Sequence, residues 1–387
     1  MKKKTKVIQM TPFFYPVQGG MEDHVFDTSL MLKSLGYDVE IFSSNKLRQG
    51  KIKTKHSIYN GIKVTRFNSI FHVTQLAPIW PGVLLRMVFE NYDVLHMHSY
   101  RHQHNLCGII AKLRGKKVIL TPHWPEYPMN LRNKIVQKII PMFDRTIGRL
   151  IFASCDMVFA DTELEKQWLQ DKFNIKKQKI KIITPGISKK EFIKHNPKPF
   201  LKKHNIINNN KKNHKIIVSM GRIHKSKGFD QLIKVANKFP KTKFVFVGPD
   251  GGDKQRLIEL AQKLGVKKQI IFTGFLSDKE RSQALASADV FCLPTQYEAF
   301  GIALAEAMAQ SKPIIASNVG GVPWVIKGCG YTFENQNIED LEKKLKLVLN
   351  NAKLKKQFSN NALKRAKLFT FDNIKKELQK AYKELIK

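Results

Sequence analysis

The stretch that most constrains this fold runs from Ala288 to Trp324 and reads ADVFCLPTQYEAFGIALAEAMAQSKPIIASNVGGVPW. Residues 289–294 predict a buried strand, residues 301–310 have helical spacing, and residues 313–317 predict a second strand. These elements form a βαβ unit in which Glu298 lies in the loop before the helix and Glu306 lies inside the helix. Open α/β sheets bind ligands at the carboxyl ends of their strands. Both acids are therefore expected at a ligand site.

The length of 387 residues predicts two or three domains. Apolar residues make up 42% and charged residues 26%, which is typical of a globular protein. We find no apolar run near the roughly 18 residues that span a bilayer, and the start MKKKTKVIQM passes directly into a strand. We therefore expect a cytoplasmic protein without a signal peptide. The cysteines share no CxxC spacing and are expected to be buried, reduced thiols; they are Cys107, Cys155, Cys292 and Cys329.

The formal net charge of +37 is the most unusual bulk property of the chain. Nucleic-acid binders usually concentrate such charge in an arm or on one face, whereas here it is spread over both halves. Motifs typical of an RNP, a zinc finger or a helix-turn-helix are absent from the sequence, so nucleic acid is not an expected partner. Much of the excess is Lys beside Asn, as in residues 208–213. The charge is either compositional or attracts the protein to an anionic membrane or substrate.

Two α/β segments are predicted on either side of a polar boundary. Residues 6–10, 21–35 and 37–42 predict an opening βαβ unit, and the pattern restarts at residue 215 after a stretch rich in Asn, Lys and Pro. We therefore expect a first domain over 1–195, a linker over 196–213, a second domain over 214–368 and a terminal helix over 369–387. Gly19 and Gly20 precede the first helix, which suits either a phosphate or sugar ligand or a tight turn without one.

Polar and charged residues follow several predicted strands. His98 follows residues 93–97, and His123 follows residues 117–120 between a proline and a tryptophan. His123 is either a donor or proton carrier for a substrate hydroxyl or a partly buried histidine bonded to backbone. Arg222 and Lys227 lie on a loop that leads from a strand into a helix, where two cations suit a diphosphate. The alternative interpretation is that Arg222 and Lys227 are two exposed cations of a Lys-rich chain without a ligand.

Residues 131–151 predict a basic amphipathic helix that Pro141 is expected to break or kink. Its apolar side carries Ile135, Ile139, Met142, Phe143, Ile147 and Leu150, and its basic side carries Lys134, Lys138, Arg145 and Arg149. The commoner explanation is a surface helix whose apolar side packs in the core. The alternative is a segment that lies on an anionic membrane.

The chain resembles the retaining nucleotide-sugar glycosyltransferases of family 4. The match is a set of elements in order between Lys6 and about Pro323: QGGMEDHV, TPHW, TPG, GRIHKSKG, VGPDGG, FTGFL, EAFGIALAEAMA and ASNVGGVP. The resemblance implies an α/β fold of two facing Rossmann-like domains with parallel sheets, the B-type glycosyltransferase (GT-B) fold, with a cleft between the domains. The last helix would pack back on the first domain. Trp324 departs from the family, which often has an acidic residue there.

The resemblance also implies roles for the candidate residues. Arg222 and Lys227 would hold the donor diphosphate, Glu306 would bind the ribose hydroxyls, and Glu298 would contact the donor sugar. The backbone of Leu276 would meet the base, and that of Phe300, Gly301 and Ile302 would meet the sugar. From the first domain, His123 would reach a donor-sugar hydroxyl and Gly20 would let the first loop approach the phosphates. His24, His98 and Arg101 are candidate neighbours of the acceptor.

The implied activity is metal-independent transfer of a hexosyl-type group from a UDP- or GDP-sugar, with no cofactor and with retention of configuration. A lipid-linked or glycan-precursor acceptor fits the basic helix and the net charge, and would place the enzyme peripherally on the inner face of the cell membrane. The alternatives are a nucleotide-sugar epimerase of the same fold, a basic nucleic-acid-binding protein and a non-catalytic partner subunit.

Overall fold

The computed structural model describes residues 4–17, 19–47, 50–72, 78–124, 126, 134–206 and 214–387. The strands are β1 (Lys6–Thr11), β2 (Asp38–Ser44), β3 (His56–Tyr59), β4 (Ile62–Phe67), β5 (Phe71–His72), β6 (Pro78–Ile79), β7 (Val94–His98), β8 (Lys117–Thr121), β9 (Met157–Ala160), β10 (Ile180–Ile182), β11 (Lys215–Met220), β12 (Thr242–Val247), β13 (Ile270–Gly274), β14 (Val290–Leu293), β15 (Ile314–Ser317) and β16 (Gly330–Phe333). The helices are α1 (Gly20–Ser34), α2 (Gly82–Phe89), α3 (Cys107–Leu113), α4 (Lys134–Phe143), α5 (Arg149–Ser154), α6 (Glu163–Phe173), α7 (Lys198–Lys203), α8 (Phe229–Val235), α9 (Lys254–Lys263), α10 (Asp278–Ser287), α11 (Ile302–Ala309), α12 (Val322–Val325), α13 (Ile338–Asn350), α14 (Ala352–Ala366) and α15 (Phe371–Ile386).

The chain divides into two compact units. The first unit contains Met1–Gly186 and Asp372–Lys387, and the second contains Ile187–Phe371. The second unit therefore begins earlier than the linker expected at 196–213. The reason is that the chain packs in the second core from Ile187 onward, including Phe200 and Leu201 of the short helix α7. A helix of six residues is too short to show a period in the sequence, although two apolar side chains are enough to anchor it.

The first unit is built on an eight-stranded sheet of order β10-β9-β8-β7-β1-β2-β4-β3. Its pairs are parallel except for β3 with β4, which is antiparallel. The chain fills one side of the sheet through β2 and β4 and then returns to the other side through β7. The strand order thus reverses between β1 and β7, and such a switch point is where open α/β sheets bind ligands.

The second unit has a six-stranded parallel sheet of order β13-β12-β11-β14-β15-β16. Its switch point lies between β11 and β14. Apolar clusters cover both faces of this sheet, as expected for parallel strands whose side chains are buried on both sides. The predicted βαβ unit is confirmed, since β14 and β15 pair in parallel on either side of α11.

All four cysteines are free and buried, as expected. Burial raises the pKa of the Cys155 thiol to about 12 and that of the Cys329 thiol to about 11. Both groups are therefore protonated and unreactive at neutral pH.

The basic amphipathic segment differs from its commoner explanation. Pro141 lies inside α4, which continues through a π-helix over Asp144–Gly148 into α5. Ile140 and Ile151 are buried, but most of the predicted apolar side faces solvent. The exposed fractions are 68% for Ile135, 48% for Ile139, 64% for Met142, 40% for Ile147 and 61% for Leu150. Within the described part of the chain, helices with the length and apolar character needed to cross a membrane are absent.

Candidate functional site

An ion pair joins the two loops at the switch point of the second unit. Lys227, in the loop after β11, donates from Nζ to Oε2 of Glu298, in the loop after β14, over 2.7 Å. The Lys227 side chain is 26% exposed and that of Glu298 is 18% exposed. The loops are also joined by backbone, since Gln296 N–H donates to the carbonyl of Ser226 over 2.8 Å. The sequence predicted that each charge would follow a strand, but not that the two would pair.

A glycine permits this close approach of the two loops. Gly228 has φ +64°, and a Cβ atom there would lie 2.0 Å from the carbonyl oxygen of Pro294. Gln231 donates to the same oxygen over 2.8 Å, which fixes the start of α8 against the end of β14. Any larger residue at 228 would therefore require the two loops to move apart.

Arg222 and Lys227 follow β11 and lie next to three glycines, Gly221, Gly248 and Gly251. A Cβ atom on Gly248 would lie 2.1 Å from the carbonyl oxygen of Gly221, and one on Gly251 would lie 2.6 Å from Cγ of Arg222. The stem of Lys227 covers Gly221, with its Cδ 3.6 Å from a Cβ built there. The glycines thus let the side chains of Arg222 and Lys227 and the neighbouring backbone pack closely. Two adjacent cations after a strand suit a diphosphate.

Glu306 lies in a second ion-pair cluster on α11. Its carboxylate is 3.3 Å from Arg281 of α10, which also contacts Glu191 at 3.1 Å. Burial alone would lower the pKa of Arg281, yet the charges of Glu306 and Glu191 raise it above its ordinary value. Arg281 therefore holds the Glu306 carboxylate in place. Sequence reasoning missed Arg281, because its spacing from Glu306 carries no motif.

The remaining candidates of the second unit contribute mostly backbone. Gly301 is the N-cap of α11 and has φ +82°, and a Cβ atom there would lie 3.1 Å from Cγ of Glu298. Phe300 is buried, with its ring centroid 5.1 Å from that of Phe369. Ile302 is the first residue of α11, and Leu276 has its side chain in the core. The neighbour of Leu276, Phe275, is 72% exposed just after β13.

Three histidines meet at the switch point of the first unit. His98 ends β7, His123 follows β8, and His24 lies on α1. His98 Nδ1 lies 3.2 Å from His123 Nε2, and the ring of His24 meets that of His123 edge-on at a centroid distance of 5.2 Å. Burial lowers the pKa of His24 and of His123 to about 4, with the neighbouring His123 charge adding to the shift at His24. The three rings are therefore neutral at pH 7.

Two residues that the sequence did not single out fix the orientation of these rings. Asp161, which follows β9, lies with Oδ2 3.0 Å from His123 Nδ1. Gln9 of β1 lies with Oε1 2.6 Å from His98 Nε2. Asp161 is 1% exposed, and Gln9 is fully buried. The phrase ADTE places an acid directly after a strand, which was the available signal for Asp161.

The backbone is strained at the same edge of the first sheet. Ser99 and Arg101 after β7 have φ +69° and +67°, and His123 and Trp124 after β8 have φ +56° and +43°. Non-glycine residues rarely occupy this left-handed region, and such strain clusters at functional sites. The carboxyl ends of β7 and β8 therefore have the backbone character of a functional edge.

The weaker candidates of the first unit have different environments. His24 and His98 are 5% and 0% exposed, so neither presents an open surface. Arg101 donates from Nε to Asp144 over 2.9 Å and from Nη2 to Glu126 over 3.0 Å, an ion-pair network that holds the π-helix. Gly20 is exposed at the first position of α1.

A cavity of about 600 Å³ lies at the opposite edge of the second sheet. Its walls include Lys215, Thr242 and Asp289, which stand at the amino ends of β11, β12 and β14. It is therefore remote from the carboxyl ends where the charged loops meet, and we do not assign it to the same site.

Comparison with known proteins identifies the class. The family model described as "Glycosyltransferase Family 4" matches residues 18–191, and the model described as "Glycosyl transferases group 1" matches residues 202–365. An uncharacterized glycosyltransferase of Methanocaldococcus jannaschii is 28% identical over 407 residues, covering 99% of this chain and 100% of the relative.

Solved structures share the fold. Sucrose-phosphate synthase of Thermosynechococcus elongatus superposes with a TM-score of 0.78 at 18% identity, covering 99% of each chain. HepE of Anabaena, in complex with UDP-glucose, superposes with a TM-score of 0.73 at 16% identity, covering 98% of this chain and 100% of HepE. The chain belongs to the group 1, family 4 glycosyltransferases and has the GT-B fold, which confirms the resemblance.

Proposed function

We propose that this protein is a retaining glycosyltransferase that moves a hexosyl-type sugar from a nucleotide-diphosphate donor to a hydroxyl acceptor. The observation that carries the proposal is the Lys227–Glu298 pair at the switch point of the second unit. Arg222 and the glycines Gly221, Gly248 and Gly251 lie beside this pair. HepE, which shares the fold, binds UDP-glucose. That complex supports a nucleotide-sugar donor here.

The charges of the site suit the two ends of such a donor. Arg222 and Lys227 would bind the diphosphate and stabilise the negative charge that develops on it as the glycosidic bond breaks. Glu306, held by Arg281, would accept hydrogen bonds from both ribose hydroxyls. The backbone at Leu276 would meet the base.

We assign Glu298 to positioning of the donor sugar, together with the backbone of 300–302. Its carboxylate is already engaged by Lys227 at 2.7 Å, which lowers its nucleophilicity. The leaving phosphate would instead deprotonate the acceptor hydroxyl on the same face of the sugar. The two cations supply the charge stabilisation that a divalent ion supplies in other transferases, so we propose a metal-independent reaction.

In the first unit, we assign His123 to a hydroxyl of the donor sugar and Gly20 to the approach of the first loop to the phosphates. Asp161 would fix the tautomer of His123 by accepting from its Nδ1–H. The role of Asp161 is therefore to position His123.

The donor is tested with a panel of UDP-, GDP- and ADP-sugars by thermal shift, because a ligand stabilises the state that it binds. We expect one nucleotide class to raise Tm, and NMR of the transferred product to show the donor's anomeric configuration. Inversion would overturn the retaining mechanism. An epimerase of the same fold would instead release isomerised sugar or free UDP without any acceptor.

We further propose that the acceptor is lipid-linked or a glycan precursor and that the enzyme docks on the cytoplasmic face of an anionic membrane. The supporting surface is the exposed side of α4, the π-helix and α5, which we call the basic apolar face. It presents Ile135, Ile139, Met142, Ile147 and Leu150 beside exposed Lys134, Lys138, Arg145 and Arg149. Asp144, the one acid between residues 134 and 154, is buried against Arg101. Exposed apolar side chains beside exposed cations suit anionic lipid.

Flotation with vesicles of phosphatidylcholine alone or with added phosphatidylglycerol tests this surface at about 0.15 M salt. We expect binding only to the anionic vesicles and its loss in the variant Ile139→Glu/Leu150→Glu. Leu347→Glu, at an exposed leucine of the second unit, is the matched control and should still bind. Absence of binding by the unaltered protein, or equal loss in the control, would refute membrane docking.

A further inference from the structure

Arg365 of α14 binds the carbonyl end of the short helix α12. Its Nε donates to the carbonyl of Val325 over 2.6 Å, and its Nη2 donates to the carbonyl of Trp324. The last carbonyls of a helix lack intrahelical partners and carry a partial negative charge, so a cation stabilises this end. The guanidinium also lies over the Trp324 ring, 5.2 Å from the ring centroid. Arg365 therefore fixes the end of α12 by two hydrogen bonds and a cation–π contact.

The other end of α12 is joined to Glu298. Gly321 is the N-cap of α12, and its backbone N–H donates to the carbonyl of Glu298 over 3.2 Å. The carbonyl of Gly321 in turn accepts from the N–H groups of Trp324 and Val325, each over 3.1 Å. A helix of one turn is too short to be stable by itself. The backbone position of Glu298 therefore depends on where Arg365 holds α12.

A second connection runs from Arg365 through Phe369 to Phe300. The guanidinium lies 5.7 Å from the ring centroid of Phe369. The Phe369 ring in turn meets the Phe300 ring almost perpendicularly at a centroid distance of 5.1 Å. Both rings are buried in the second core, where close packing transmits a displacement of one side chain to the next. Arg365 is thus connected to both residues that begin the segment before α11, Glu298 through α12 and Phe300 through Phe369.

We propose that Arg365 is a positioning residue for the donor sugar, because it holds Glu298 and the backbone at Phe300 in place from behind. The inference rests on the proposed function, which assigns Glu298 and the backbone of 300–302 to the sugar. Arg365 itself is given no contact with the donor. Its effect on binding and transfer would pass through α12 and the ring of Phe369.

The nucleotide half of the donor is assigned to residues that other elements hold. Glu306 is 3.3 Å from Arg281 of α10. The loop that carries Lys227 is fixed by the backbone bond from Gln296 to Ser226. These contacts lie outside α12 and α14. Loss of the Arg365 donors is therefore expected to weaken binding of the sugar half and to spare the nucleotide half, whereas a role confined to folding would affect both halves alike.

Calorimetry with the nucleotide sugar found in the thermal-shift panel, and with the corresponding free nucleoside diphosphate, separates the two halves. Arg365→Met keeps an apolar stem beside the two rings and removes both hydrogen bonds to α12. We expect its affinity for the nucleotide sugar to fall about 10-fold, with the affinity for the free diphosphate nearly unchanged. The kcat should fall about 10- to 100-fold, because a displaced sugar is no longer aligned for transfer. Lys364→Ala, at an exposed cation of α14, is the matched control and should change neither affinity nor kcat.

Hydrogen exchange of the unaltered protein provides a second measurement, which needs no variant. The nucleotide sugar should protect residues 318–326, and the free diphosphate should not, because only the sugar is assigned to residues joined to α12. Protection by both ligands or by neither would overturn the inference. A folded Arg365→Met whose affinities for the two ligands change equally, or not at all, would also overturn it and leave the proposed function intact. An unaltered protein that binds neither ligand would overturn the proposed function and, with it, this inference.

Discussion

Lys227 and Glu298 form a 2.7 Å hydrogen-bonded ion pair that connects positions 71 residues apart. The pair joins the loop after β11 to the loop after β14, so the charges that we assign to the donor lie at the switch point of the second unit. Each residue also neutralises the other where both are largely buried.

Lys227→Ala is expected to lower kcat/KM by about 100- to 1000-fold, the usual loss when one group that stabilises transition-state charge is removed. The measurement is steady-state transfer with the nucleotide sugar found in the thermal-shift panel. Lys234→Ala is the matched control, because Lys234 lies on α8 and pairs with Asp230 at 2.8 Å. Unchanged activity in Lys227→Ala would refute the diphosphate role.

Glu306→Ala is expected to weaken nucleotide binding by about 10- to 100-fold, since it removes hydrogen bonds between a charged acceptor and ribose. Calorimetry with the free nucleoside diphosphate measures this loss. Glu280→Ala removes a carboxylate of α10 that pairs with Lys203 instead, and should leave the affinity unchanged. Equal affinity in all three proteins would contradict the ribose assignment.

Gly228→Ala is expected to destabilise the second unit by more than about 2 kcal/mol, because a left-handed alanine costs about 1–2 kcal/mol before any clash. The added Cβ would also meet the Pro294 carbonyl at 2.0 Å. Gly265→Ala separates the two causes, since Gly265 has φ +67° and open space around its Cβ position. Urea unfolding of both variants provides the comparison, and similar losses would show that the loop contact is unimportant.

Asp27→Asn is expected to remove part of the pH dependence of stability in the first unit. Burial, assisted by the charge of Asp23, raises the pKa of Asp27 from 3.8 to about 7. The folded protein then binds a proton that the unfolded chain has released, so the free energy of unfolding falls as pH rises from about 4 to 7.

The slope from this one group is at most about 1.4 kcal/mol per pH unit. Urea unfolding across that range should show Asp27→Asn gaining stability relative to the unaltered protein as pH rises. Asp38→Asn, which removes an exposed carboxylate at the start of β2, controls for the loss of one charge. A constant difference between Asp27→Asn and the unaltered protein would exclude the effect.

The features of the fold and of the candidate site that depend on local sequence pattern could be predicted from the sequence. Alternating strands and helices gave the two α/β units, and the ordered motifs gave the family and the GT-B fold, both of which are confirmed. Glu298 and Glu306 were predicted to lie after and beside β14, because parallel strands bring their carboxyl ends to one edge.

Contacts that depend on packing could not be predicted in the same way. Arg281 reaches Glu306 only because α10 and α11 have a particular relative position, and Asp161 reaches His123 across 38 residues. Helical periodicity in 131–151 revealed an apolar side but not what covers it, so the exposure of Ile139 and Leu150 required the structure. The burial of Phe200 and Leu201 also depends on packing, so α7 was predicted to be part of the linker.

The ribosome makes the last helix, α15, after the whole of the second unit. The side chains of α15 nevertheless belong to the core of the first unit. The Tyr382 hydroxyl is 2.9 Å from His96 Nδ1, and its ring is fully buried among residues of the first sheet. Newly made β1 to β10 must therefore wait until α15 has been synthesised before this core closes. Expressed separately, residues 1–186 would need α15 joined to them or supplied as a peptide.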